Sequence, residues 1–254
     1  MNERSGSRVV IVTQARVGST RLPGKVMKVS AGKSLLGHHL ERIARSRLAD
    51  AVVVATTDKD DDLPIVELSR AMGLEVFRGP EKDVLARYVG AARHSDADIV
   101  VRVTSDCPLI DPAVIDRTIE AFLGRRADVD YVSNRLIPTY PRGMDTEVLP
   151  RSVLELAHAE ASNPEDREHV TLFVWRQPSR FRLHNVAYSS DQSRHRWTVD
   201  TAADFELIDR MLLVLHKERP WFNLEDCLEC LRQNPAWIAI NAHVEQKPIS
   251  IARE

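Results

Sequence analysis

Cysteine is scarce. Three thiols in 254 residues cannot build a disulfide framework, which excludes a small cross-linked secreted scaffold and makes a reduced, cytoplasmic protein the expectation. Cys227 and Cys230 form a lone C-x-x-C with no second pair for zinc. Their surroundings, WFNLEDCLECLRQ, are patterned as an amphipathic helix, so structural thiols are the simpler reading. Charge of one sign is missing too. The 35 basic residues face 37 acidic ones, interspersed along the chain, so nothing argues for a nucleic-acid partner or a polybasic membrane contact. No apolar run approaches the length of a membrane span, and the polar opening MNERSGSR has no signal-peptide core. Internal repeats, low-complexity tracts, linkers and a metal-binding histidine cluster are absent as well. The chain fits one large α/β domain, taken as residues 1–254.

What the chain does have is concentrated near its start. Val9-Val10-Ile11-Val12 is short, β-branched and flanked by polar residues, the pattern of a buried strand. The loop that follows gathers Arg16, Arg21 and Lys25 within ten residues, beside Ser19, Thr20, Gly18 and Gly24. Glycines let a backbone approach a ligand closely. Cations, hydroxyls and backbone N–H groups together suit a polyphosphate, although basic surface loops are common and a solvated loop is the plain alternative. Walker A is excluded: five residues separate Gly18 from Gly24, Val26 stands in place of Ser/Thr, and Pro23 lies inside the loop.

Downstream, apolar spacing predicts a helix over Ser34–Ser46 and a buried strand at Ala51–Thr56. A helix follows from Leu63, with Pro64 in its first turn, to Met72. Glu75–Arg78 reads as a strand, Asp83–His94 as a helix, Asp98–Thr104 as a third buried strand, and Asp111-Pro112 as the start of another helix. Four strand–helix alternations place strand ends along one edge of a largely parallel sheet, where ligands bind. The rhythm then changes. Asp130–Asn134 and Asp145–Leu149 read as strands, Ser152–Ala161 and Arg167–Arg176 as helices, Phe181–Tyr188 and Trp197–Val199 as strands, and Thr201–His216 as a helix. Residues 130–190 are taken as an insertion into the sheet-and-helix core.

Ala15-Arg16-x-x-Ser19-Thr20-Arg21-Leu22-Pro23-Gly24-Lys25 closely resembles the CTP-phosphate loop of the sugar-acid cytidylyltransferases, which make CMP-Kdo and CMP-sialic acids. Within them the chain looks most like the SpsF (spore-coat polysaccharide) group. The resemblance runs from about Val9 to about Asp226. It implies a Rossmann-like nucleotide-diphospho-sugar transferase fold, a mostly parallel mixed sheet flanked by helices, with the inserted segment forming the acceptor pocket and a homodimer contact. It implies transfer of CMP from CTP to a small acidic sugar-like acceptor, with release of pyrophosphate, for surface polysaccharide assembly.

Residue roles follow from the same resemblance. Arg16, Arg21 and Lys25 would hold the triphosphate, with Ala15, Ser19 and Thr20 around it. Asp106, in Thr104-Ser105-Asp106-Cys107-Pro108, occupies the place of a Gly-Asp-x-Pro element whose Asp holds Mg²⁺; Ser105 departs from that Gly, and a turn aspartate is the alternative. Asp200, in Val199-Asp200-Thr201-x-x-Asp204, matches the second magnesium aspartate, with helix capping by Asp200 or Thr201 as the alternative. The strand end at Thr57, together with Asp83 and Arg87, resembles nucleobase-pocket elements, although Asp83 and Arg87 also suit a helix-surface ion pair. Pro141-Arg142-Gly143-Met144-Asp145-Thr146-Glu147-Val148 and Arg167-Glu168-His169-Val170-Thr171 resemble SpsF-group elements. They nominate Arg142, Asp145, Glu147 and His169, with Arg135, for the acceptor. Departures from the Kdo enzymes between Arg135 and His169 argue against Kdo itself. His38-His39 and Arg125-Arg126 read as helix-surface residues. Two other functions compete. A glycosyltransferase using a nucleotide-sugar would employ a D-x-D motif, as at Asp58-x-Asp60 or Asp128-x-Asp130. A non-catalytic nucleotide-binding protein would have no use for the two aspartate motifs.

Overall fold

The computed structural model describes residues 6–245. The β-branched run becomes β1 (Val9–Gln14). A short antiparallel ribbon, β2 (Val29–Ser30) and β3 (Lys33–Ser34), leads into α1 (Leu35–Ile43). The alternation continues through β4 (Ala51–Thr57), α2 (Leu63–Ala71), β5 (Glu75–Gly79), α3 (Val84–His94), β6 (Ile99–Thr104) and α4 (Pro112–Leu123). Then come β7 (Tyr131–Ser133), β8 (Glu147–Pro150), α5 (Arg151–Glu160), α6 (Pro164–His169), α7 (Leu172–Trp175) and β9 (Leu183–Asn185). The described part ends with α8 (Ala202–Glu218), α9 (Leu224–Gln233) and a 3₁₀ turn.

Seven strands form one sheet in the order β5-β4-β1-β6-β8-β7-β9. β1 lies parallel to both β4 and β6, and β4 to β5. β8 alone runs against the others. This is a mixed, mostly parallel α/β sheet, and residues 130–190 contribute β7, β8 and β9 directly to one side of it. Both faces are covered, which is why the central strands are apolar throughout rather than alternating. Val9 and Ile11 pack with α1 and α4 residues such as Leu40 and Ile119, whereas Val10 and Val12 pack with Leu85 and Tyr88 of α3. A third apolar cluster gathers α8 and α9 around Trp197 and Met144. The register pairs Gln14 with Ala55 and Thr104, and Thr57 with Gly79. The loops after β1, β4, β5 and β6 therefore leave the same edge.

Four expectations are corrected. Arg167–Arg176 is not one helix: it breaks at Val170, whose φ of +64° is a left-handed conformation costly for a β-branched residue. The break turns Thr171 inward, where its hydroxyl donates to Glu147. Phe181–Tyr188 is a strand over Leu183–Asn185 alone. Trp197–Val199 does not join the sheet, because its N–H groups go to loops: Trp197 to the Arg142 carbonyl (2.7 Å) and Val199 to the Asp106 carbonyl (2.8 Å). His38 and His39 are not on the surface; both are buried. His38 bonds the Ser30 carbonyl and His216, and His39 bonds Thr13 and the Cys107 carbonyl.

Candidate active site

A cleft of about 780 Å³ opens over the edge where the parallel strands end. A smaller hollow of about 300 Å³ lies at the opposite edge, between Ile43 and Glu75, and no cation lines it.

The loop after β1 forms one wall. Its shape is set from behind: the Val17 N–H donates to Asp62 at 2.6 Å, and the buried Thr57 hydroxyl donates to the same carboxylate. The Gly24 N–H closes back on the Val17 carbonyl at 3.2 Å. Gly24 has φ +66°, a conformation glycine adopts without strain, and it starts the 3₁₀ turn Lys25–Met27. That turn carries Lys25 across the cleft. Its Nζ is 2.8 Å from Asp106 Oδ2 and 2.8 Å from Asp200 Oδ1. Arg21 reaches Asp200 Oδ1 at 3.0 Å, and Arg196 reaches Asp200 Oδ2 at 2.8 Å. Two aspartates from separate parts of the sequence thus converge on one point at a strand edge. Burial alone would push the Asp106 carboxyl up; the charge and hydrogen bond of Lys25 outweigh it and hold the group down at about 2. For Lys25, burial acts downward and the two carboxylates more than reverse it, so its pKa is raised.

Asp200 does not cap α8. Thr201 does, accepting the Asp204 N–H while the Asp204 side chain accepts the Thr201 N–H. Ala15, Arg16, Thr20 and Ser105 also line the cleft, as does Ser19, whose hydroxyl accepts the Leu22 N–H at 3.4 Å. Arg87 lines it while nearly buried, with one nitrogen 2.6 Å from the Pro80 carbonyl, so it fixes the turn after β5. Thr57 and Asp83 stand behind the wall. Asp83 caps α3 through the Ala86 N–H and pairs with Arg167 at 2.6 Å; the Asp83–Arg87 pair does not form.

The other end of the cleft is built by Arg135, Arg142, Asp145, Glu147 and His169. Glu147 is buried between Arg102 (2.5 Å) and Arg135 (3.3 Å). Burial pushes its carboxyl up, and the two guanidiniums more than offset that, keeping it ionised. Arg142 makes no salt bridge among the described residues, and burial lowers its pKa. Burial also lowers the pKa of His169, which favours the neutral imidazole.

Sequence reasoning overlooked Asp62, Arg102 and Arg196. Arg102 did leave a signal, a lone charge inside the apolar strand DIVVRVT. The D-x-D pairs lie away from the cleft lining, and Asp130 is paired with Arg182. Cys227 and Cys230 are buried in α9, and burial pushes the Cys227 thiol up. Among the described residues no group of three or more Asp, Glu, His or Cys side chains forms a metal cluster, and no helix is long and apolar enough to cross a membrane.

Comparison with known proteins places these residues in a wider setting. A cytidylyltransferase family profile matches residues 9–225. The solved structure of a cytidylyltransferase from Leptospira borgpetersenii superposes with a TM-score of 0.86 at 33% identity, over 96% of this chain and 100% of that one. The spore coat polysaccharide biosynthesis protein SpsF of Bacillus subtilis is 31% identical over 89% of this chain and 95% of its own. A 3-deoxy-manno-octulosonate cytidylyltransferase of Trichlorobacter lovleyi is 40% identical, but over 46% of each chain.

Proposed function

Because the chain belongs to the cytidylyltransferase family, we propose that it transfers CMP from CTP to a small acidic sugar or sugar-like acceptor, releasing pyrophosphate, for surface polysaccharide biosynthesis. The observation that carries this reading is the meeting of Asp106 and Asp200 at the Lys25 ammonium, beside Arg21. An ammonium already bridges the two carboxylates, so the site is built for positive charge. The residues also fit Mg²⁺, which takes one or two carboxylates and completes its shell with phosphate oxygens and water. Asp106 and Asp200 would hold it, and when bound it would supply charge neutralisation and polarisation at the α-phosphate.

The chain's own groups do the rest. Arg16 and Arg21 carry half-exposed guanidiniums at the cleft mouth, able to meet the β- and γ-phosphates as charge-assisted donors. Lys25, held at the same point, would add a further cationic donor for the phosphates. Ser105 and Arg87 shape the wall assigned to the base, with Thr57 and Asp83 bracing it from behind. At the far end Arg135 and Arg142 offer guanidinium forks to an acceptor carboxylate, with Asp145 and Glu147 beside them. A neutral His169 can accept a hydrogen bond from an acceptor hydroxyl. The acceptor oxygen then displaces pyrophosphate in line, with positioning and charge stabilisation as the main sources of rate. Departures from the Kdo enzymes between Arg135 and His169 support an acceptor other than Kdo. We further propose a cytoplasmic homodimer whose contact is built by residues 130–190.

The test is pyrophosphate release from CTP and UTP across a panel of sugar acids, nonulosonic acids and polyol phosphates, with and without Mg²⁺. One acceptor is expected to support turnover with CTP and Mg²⁺, and Asp106→Asn to remove it. Full turnover by folded Asp106→Asn would refute the cation assignment, and turnover of a nucleotide-sugar instead of CTP would refute the donor.

A further inference from the structure

Asp200 is held from two sides. Its Oδ1 faces the cleft, where Lys25 and Arg21 meet it. Its Oδ2 is turned inward and taken by Arg196 at 2.8 Å. Arg196 is itself fixed, its Nε 2.8 Å from Asp204. Asp204 is fully buried and accepts the N–H groups of Asp200 and Thr201, at 3.0 Å each. Asn241 ties the assembly from the far end of the chain, donating to Asp204 and to the Arg196 carbonyl at 2.9 Å each. The inner oxygen of Asp200 is therefore occupied by a rigid, buried partner. The outer one is occupied by side chains that retain exposure, 14% for Lys25 and 41% for Arg21.

We propose that Arg196 is a cation-specificity residue. By holding Oδ2 it leaves Asp200 one oxygen to offer. A single oxygen suits Mg²⁺, which demands a compact octahedron; Ca²⁺ takes six to eight oxygens and favours two-oxygen carboxylate contacts. Arg196 touches neither nucleotide nor cation in this scheme and acts through Asp200 as a positioning residue. The inference rests on Asp200 being a cation ligand, as proposed above.

Calorimetric titration of the full chain with Mg·CTP and with Ca·CTP tests it, using wild type, Arg196→Lys, Arg196→Gln and Asp200→Asn, each checked by thermal melting. Wild type is expected to prefer Mg·CTP. Loss of a partner that orients a metal ligand typically costs about 10–100-fold in metal affinity. Both Arg196 variants should lose Mg·CTP affinity on that scale while Ca·CTP binding holds or tightens. Equal losses for the two cations, or none, overturn the proposal. So does a wild type that binds both cations equally, a result that needs no variant to fold. Asp200→Asn should weaken both complexes; unchanged binding there would instead refute Asp200 as a ligand.

Discussion

Lys25→Met should weaken the free protein and let a divalent cation restore it. One ammonium neutralises two carboxylates, each 2.8 Å away. The two oxygens stand no more than twice that distance apart. At that widest separation, and an effective dielectric constant of about 20, two bare unit charges repel by at least about 3 kcal/mol. Arg21 and Arg196 stay on Asp200, so the net loss should fall below that, near 2 kcal/mol. The depression of Asp106 from 3.8 to about 2 leads to the same place, because a shift of that size is worth about 2 kcal/mol. Methionine nearly matches the lysine stem, so no large cavity is added. For a chain of this length the loss corresponds to a melting temperature lower by roughly 4–8 °C. The sign with pH is fixed. A depressed carboxyl stabilises above its ordinary pKa and loses that contribution as pH falls toward the folded value, so the gap between wild type and variant should close below about pH 4. Thermal melts at pH 7 without nucleotide, in EDTA and then in Mg²⁺ or Mn²⁺, read both effects. The cation should leave wild type unmoved and raise the variant. A variant that melts with wild type, or a cation that raises both equally, would refute the reasoning.

Arg102→Met should cost about 3–5 kcal/mol in urea unfolding, the usual penalty for stranding one member of a buried ion pair, since Glu147 is buried against it; a loss below about 1 kcal/mol would mean that Arg135 suffices. Gly143→Ala should destabilise by more than about 1 kcal/mol, because φ is +105° and the new methyl would stand 2.8 Å from the Trp197 carbonyl group. CTP binding by calorimetry should survive it, and a fully stable variant would show that the loop yields. His39 is held neutral by burial, its pKa down at about 4. Its contribution is therefore complete above pH 6.5 and fades as pH falls to about 4, by up to about 3 kcal/mol; a His39→Gln chain should show a flatter stability profile across that window, and an equally steep one would remove His39 as the cause.

The parallel half of the fold was legible because a strand covered on both faces is apolar along most of its length, and Val9–Val12, Ala51–Ala55 and Ile99–Val101 have that character. The half after β6 was not, because its conformations are dictated from a distance. Val170 takes a left-handed conformation within a run patterned as helix, and the break delivers Thr171 to Glu147. Trp197 gives its N–H to a loop that Gly143 allows to approach. α1 failed differently. Its apolar spacing suggested one buried face, yet every residue except Glu41 is buried; His38 and His39 survive inside because Ser30, Thr13, Cys107 and His216 accept or supply their hydrogen bonds, and Arg42 because the Ile110 and Phe222 carbonyls accept its N–H groups. The site divides along the same line. Arg16, Arg21 and Lys25 were legible as three cations in one short loop. Asp62 and Arg196 were not, and Arg102 showed only as a charge out of place in an apolar strand, because each acts on a partner. Asp62 holds the loop that carries the cations, Arg102 keeps Glu147 ionised, and Arg196 turns Asp200. A local motif records the groups that meet a ligand, whereas the groups that aim them are bound only by where the fold brings them and can come from any position in the sequence.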